Sequence, residues 1–141
     1  MSDREEIVSR VTAALEGAPA PVAIRNARKV DARGEQSGYW VVSNASGAIA
    51  ASGVGDEAFE QYCGTVGIDP ADRNAVVDAE GRILTPGYVD IHSHGAWEKS
   101  FDDGPDGIDV ARAGHAVHGT TRQVLSLITN PVDVICGNIR N

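Results

Sequence analysis

The chain has 141 residues, 42% hydrophobic and 23% charged, an ordinary globular composition that argues against disorder. Its 20 acidic and 12 basic side chains leave a formal charge of -8. Such a surface repels phosphate backbones and anionic lipid, so neither nucleic acid nor membrane is an expected partner. The length suits one domain, or a small domain and the start of another. Cys63 and Cys136 lie far apart without metal-type spacing, and two isolated thiols fit a reducing compartment. The charged opening MSDREEIVSR lacks the apolar core of a signal peptide. No apolar run approaches the roughly 20 residues of a membrane span. The expectation is a soluble, cytoplasmic protein.

Asp3 to Glu16 has helical spacing, with Ile7, Val8, Val11, Ala14 and Leu15 on one face. Ser2 or Asp3 is placed to cap this helix, and Gly17, Pro19 and Pro21 to stop it. From Val22 to Leu84 the pattern becomes short strand-like runs: Val22–Val30, Tyr39–Val42, Gly47–Ala51 and Val76–Asp78. Glycines with Asn44 or Ser46 punctuate them in hairpin fashion, and Asp78-Ala79-Glu80-Gly81 reads as a further hairpin turn. Asp56 to Val66 is a short helix candidate, followed at Asp69-Pro70-Ala71-Asp72 by a turn or a second helix start. A small β-domain, sandwich-like or half-barrel, accounts for this region. After Thr85-Pro86-Gly87 come a strand at Tyr88–His92, a Gly- and Asp-rich loop from Gly95 to Gly107, and a helix from Ile108 to His118 ended by Gly119. An apolar strand is expected at Val124–Ile128, buried on both faces as in a parallel sheet, and Pro131 is suited to open another helix. The order is βαβα. The expected organisation is a helix over residues 1–18, a small β-domain over 19–84 and an α/β segment over 85–141.

His92-Ser93-His94 is the sharpest chemical feature. Residues two apart on a strand share a face, so both imidazoles project together, with Asp90 two residues before them. Zinc and similar divalent metals accept neutral imidazole nitrogen, and barrel enzymes place catalytic groups at strand C-termini. H-x-H alone is common by chance, and it is the β-rich lead-in, the Pro-Gly entry and the βα unit that strengthen the metal reading. His115 and His118 share a helix face, but in its last turn they suit the helix dipole better than a metal. Asp102 and Asp103, in a DDGPDG run, read as turn and capping residues more than as an acid–base pair. Glu98 and Lys99 either reach the metal region or are solvated. No P-loop, dinucleotide fingerprint or nucleophile elbow is present.

The run Leu84-Thr85-Pro86-Gly87-Tyr88-Val89-Asp90-Ile91-His92-Ser93-His94-Gly95 resembles the opening of the amidohydrolase superfamily. Phe101-Asp102-Asp103, His118-Gly119-Thr120-Thr121 and Leu125-Ser126-Leu127-Ile128-Thr129 resemble the N-acetylglucosamine-6-phosphate deacetylases among them. The resemblance is loose from Val22 and close from Leu84 onward. It implies a fold of class α/β: a small N-terminal β-sandwich-like domain followed by the first βα units of an incomplete, metal-dependent (β/α)8 barrel. It also implies His92 and His94 as metal ligands, and two histidines would permit a second ion. The metal expected is divalent, zinc by preference, with iron or another transition metal as alternatives. The implied reaction is removal of acetate from an N-acetyl amino sugar phosphate by a water that the metal activates.

The chain departs from that pattern at Gly95-Ala96-Trp97-Glu98, where family members often carry several glycines. A barrel takes at least about 200 residues. The family's glutamate, two later histidines and catalytic aspartate would therefore lie beyond Asn141, and no catalytic residue is assigned within the chain. The expectation is an inactive fragment whose full-length form binds a small amino sugar phosphate, with a homo-oligomer open. Alternatives are another amidohydrolase, dihydroorotase-like or deaminase-like, and a non-catalytic partner-binding module derived from the barrel.

Overall fold

A computed structural model of the chain describes residues 3–17 and 22–140. Ser2, Pro19 and Pro21, the expected cap and stop signals, lie outside the described residues. The chain divides into two compact units: residues up to Gly17 together with those from Gly87 on, and the stretch between them as far as Pro86. The helix α1 (Asp3–Glu16) has the expected bounds, buries no residue completely and lies along a later helix of its own unit.

The middle unit is built from β1 (Ala23–Asp31), β2 (Gly34–Ser43), β3 (Ile49–Val54), α2 (Asp56–Val66), β4 (Val76–Asp78) and β5 (Ile83–Leu84). They form one mixed sheet of order β3-β2-β1-β4, with β5 also on β1. The two hairpins, β1–β2 and β2–β3, follow from local chemistry. Asp31 Oδ1 accepts the Arg33 N–H at 2.9 Å in the first turn. Asn44 Oδ1 accepts from the backbone N–H of Ser46 and of Ala48 and from the Ser46 hydroxyl in the second. On one face of the sheet Ala23, Trp40, Val42 and Val76 pack against Phe59 and Cys63 of α2. Trp40 lies over Phe59 and stacks on Tyr62, with ring centroids 5.8 and 5.6 Å apart.

Two expectations change here. The region is a single sheet covered by a helix rather than a sandwich. Ile24, Tyr39, Val41, Ile49 and Leu84 line an open groove, and the described strands of this unit all belong to the one sheet. One helix is enough to bury the Trp40 face, so the helix takes the place expected of the second sheet. Asp78-Ala79-Glu80-Gly81 is a turn but not a hairpin, because β4 and β5 both run parallel to β1. The cause is an extra residue in β1. Asn26 adopts φ 52°, the register slips between Ile24 and Ala27, and the Asn26 carbonyl accepts the Gly81 N–H at 2.7 Å. The turn steps past that bulge and the chain rejoins the same strand.

The other unit contains β6 (Tyr88–Ser93), β7 (Gly95–Ala96), β8 (Lys99–Ser100), α3 (Gly104–Ala116), β9 (Thr120–Leu125) and α4 (Val132–Asn138). β6 and β9 pair in parallel, joined through α3, and β7 with β8 forms a small hairpin inside the expected loop. α3 starts earlier than expected because Pro105 sits in its first turn, where a missing N–H costs nothing. Gly119, at φ 92°, follows the helix as expected. The second strand runs over Thr120–Leu125 instead of Val124–Ile128, and Val124 remains 54% exposed. Past Leu125 the Ser126 N–H still meets β6, but the Ser126 carbonyl and the Ile128 N–H turn to the side chains of His94 and Asp102, so the apolar run leaves the sheet.

Phe59 is wholly buried. Phe59→Ala should cost roughly 3–5 kcal/mol, read as a lower urea midpoint for the middle unit with an unchanged slope. Acid should weaken the same unit. The Glu80 N–H, then the Asn26 amide, with Arg25, hold the Asp78 carboxyl below the usual range, while the Arg33 N–H and Lys29 do so for Asp31. A depressed folded pKa gives stability that is complete above the unfolded value of about 4 and lost as pH falls through the folded one. Unfolding followed from pH 6 down to 2 should show that loss for the native protein and a shallower one for Asp78→Asn.

Candidate metal centre

His92 is near the end of β6 and His94 just beyond it, and both side chains are exposed. The rings lie 4.9 Å apart between centroids and almost perpendicular, at 88°. Both are held by one residue. The His94 Nδ1 lies 3.0 Å from the Ser126 carbonyl, and the His92 Nδ1 lies 3.3 Å from the Ser126 hydroxyl. A carbonyl has no proton to give, so His94 carries a proton on Nδ1, and in the neutral ring the lone pair then lies on Nε2. The Ser126 hydroxyl can accept as well as donate. When it accepts from His92 Nδ1, the second Nε2 is free too.

Ser126 reaches this position through the sheet. Its N–H donates to the Ser93 carbonyl at 3.0 Å, continuing the β6–β9 pairing one residue past the strand, and Gln123 Nε2 donates to the Ser93 hydroxyl. The next link is Asp102. Its Oδ2 accepts the Ile128 N–H at 3.0 Å and the Ser100 hydroxyl at 3.2 Å, while Oδ1 accepts from Asn138 Nδ2 at 2.9 Å. The Ile128 N–H, then Asn138 and Ser100, with the nearby His94, hold this carboxyl below its ordinary pKa against partial desolvation. Asp103 Oδ2 accepts the Ser100 N–H, so the acidic pair serves the turn.

The other candidates are placed elsewhere. Asp90 does not join the histidines: Oδ1 accepts the His92 N–H at 3.0 Å and Oδ2 lies 3.7 Å from His115 Nδ1. His115 reaches the Gly95 carbonyl through Nε2 at 3.2 Å and stacks on buried Phe101, which makes it a tie between α3 and the β7 hairpin. His118 is exposed and does not converge with it. Glu98 forms an exposed ion pair with Arg4, 3.8 Å apart. Among the described residues, no group of three or more His, Cys, Asp or Glu side chains converges on a metal-sized space. Cys63 is buried, which pushes its thiol pKa up, and Cys136 is exposed; both are free. No described helix is long and apolar enough to cross a membrane. The donor chemistry at His92 and His94 fits a zinc-like ion, but as a pair and not as a complete set.

No protein-family model matches the chain. The N-acetyl-D-glucosamine-6-phosphate deacetylase of Mycobacterium smegmatis superposes on 84% of this chain and 30% of its own, with a TM-score of 0.58 and 24% identity. The two share a fold. A mutant of that enzyme in complex with N-acetyl-D-glucosamine-6-phosphate matches with a TM-score of 0.53 and 23% identity over 86% of this chain and 28% of its own. By sequence, the chain is 32% identical to an imidazolonepropionase of Geobacillus sp. over 95 residues, covering 62% of this chain and 20% of that one. It is 43% identical to a dihydroorotase of Clostridium acetobutylicum over 67 residues, covering 48% of this chain and 15% of that one. The chain thus spans at most a fifth of these two relatives.

Ser126 and Asp102 were not expected at the site. Ser126 had a visible signal, as the polar residue in Val124-Leu125-Ser126-Leu127-Ile128, whereas nothing in the sequence pairs Asp102 with Ile128. Gly95 is required beside them. Its φ is +151°, and a Cβ there would run into the backbone of Lys99 and Ser100. Gly95→Ala should therefore cost more than about 1 kcal/mol and unpair β7 from β8, seen as amide shift changes concentrated between His94 and Phe101.

Proposed function

We propose that His92 and His94 supply two ligands to a divalent metal, zinc by donor preference, in a hydrolase of the amidohydrolase type. The observation that carries this reading is the shared anchor: one residue engages both rings at Nδ1, so neither Nε2 is used by that anchor. In this reading β6, α3, β9 and α4 are the first units of a (β/α)8 barrel over 85–141, preceded by the small β-rich domain over 19–84. The shared fold with the Mycobacterium smegmatis deacetylase supports it, and so do curated relatives that are amidohydrolases. The substrate proposed is an N-acetyl amino sugar phosphate, which loses acetate in the cytoplasm.

A bound divalent cation would polarise the amide carbonyl and make a water more acidic. The chain itself contributes the held imidazoles at a strand end. Two ligands leave coordination unfinished, so the remaining ligands and a proton-transferring carboxylate are proposed to come from outside these 141 residues. A second reading, hydrolysis of a cyclic amide, is favoured by one observation: the curated relatives above are an imidazolonepropionase and a dihydroorotase.

Zinc titration of the 141-residue chain by calorimetry should show weak binding that either His92→Ala or His94→Ala lowers about tenfold or more. Binding unchanged in both variants would overturn the metal assignment. The chain alone should release no acetate from N-acetylglucosamine 6-phosphate. A polypeptide that also carries the rest of a relative's length should release it, and should leave dihydroorotate and imidazolonepropionate untouched. The reverse preference would select the second reading.

A further inference from the structure

We infer that Asp102 is a positioning residue for His94, acting through the backbone of 126–128 to hold the Ser126 carbonyl against His94 Nδ1. This deepens the metal reading of His94 and rests on it for its functional meaning. Asp102 does not touch the ring. It closes a chain of contacts, from the carboxylate to the Ile128 N–H, and from the Ser126 carbonyl, two residues earlier, to the imidazole. Its other contacts explain why it can bear this role. Asn138 on α4 and Ser100 at the end of β8 occupy the rest of the carboxylate, so Asp102 is held from two elements while it holds a third.

The segment after β9 needs such a hold. The strand ends at Leu125, and Ile128 is 46% exposed. Packing therefore does little to fix the path of the chain there, and the His94 anchor is a backbone carbonyl whose aim depends on that path. With Asp102 in place, the neutral His94 ring is confined to the Nδ1–H tautomer. Without it, the carbonyl is free to swing and the ring samples both tautomers.

The test uses the 141-residue chain and long-range nitrogen–proton NMR spectra of the imidazoles, recorded well above the imidazole pKa. The native protein should show His94 as the Nδ1–H tautomer. Asp102→Ala should give a mixture of tautomers and weaken zinc binding roughly 10- to 100-fold. Asp102→Asn keeps an oxygen for the Ile128 N–H and should restore both readouts. Asn138→Ala, which spares that contact, should leave them near native. A His94 tautomer unchanged in Asp102→Ala, or lost equally in Asn138→Ala, would overturn the inference. If the tautomer follows position 102 while zinc binding is independent of His94, the positioning role stands and the metal reading fails.

Discussion

The parallel pairing of β6 with β9 is the constraint on which the rest of the site depends. It brings Ser126 beside two histidines that precede it by 34 and 32 residues. Neither ring has another described partner for its Nδ1, and neither is packed into a core. Orientation therefore comes from hydrogen bonds at a strand end, where one sheet contact, Ser126 N–H to the Ser93 carbonyl, sets the distance. The connecting helix makes that pairing parallel, since parallel strands need a crossover of this length.

Around this pairing the polar groups are shared out with little left over. Asp90 takes the His92 N–H and faces His115, His115 takes the Gly95 carbonyl, and Asp102 gathers Ser100, Ile128 and Asn138. The acidic residues closest to the histidines in sequence are thus occupied with backbone and turn geometry. That leaves the imidazole pair as the free donors at this end of the sheet.

Much of this was legible in the sequence. The bounds of α1 followed from helical spacing and from Gly17 at its end, and α2 spans the expected short helix. The H-x-H pair on a strand end followed from period-two geometry. What could not be read was long-range. The apolar run Val124–Ile128 has the composition of a strand, but His94 takes the Ser126 carbonyl and Asp102 the Ile128 N–H, so the strand starts four residues earlier. The extra residue in β1 carries no local mark beyond Asn26, yet it turns an expected hairpin at Asp78–Gly81 into a step along one edge. The sandwich expectation failed for a related reason: α2 supplies the cover that a second sheet was expected to give.

The two anchors on Ser126 differ in kind, and this has an evolutionary consequence. His94 is held by a main-chain oxygen that every amino acid possesses, whereas His92 is held by a hydroxyl that only a few side chains offer. Sequence drift at position 126 can therefore release His92 while His94 stays fixed. Of the two imidazoles, one is held by the path of the chain and the other by the identity of a single residue, so the His92 arm is the one that mutation can readily retune.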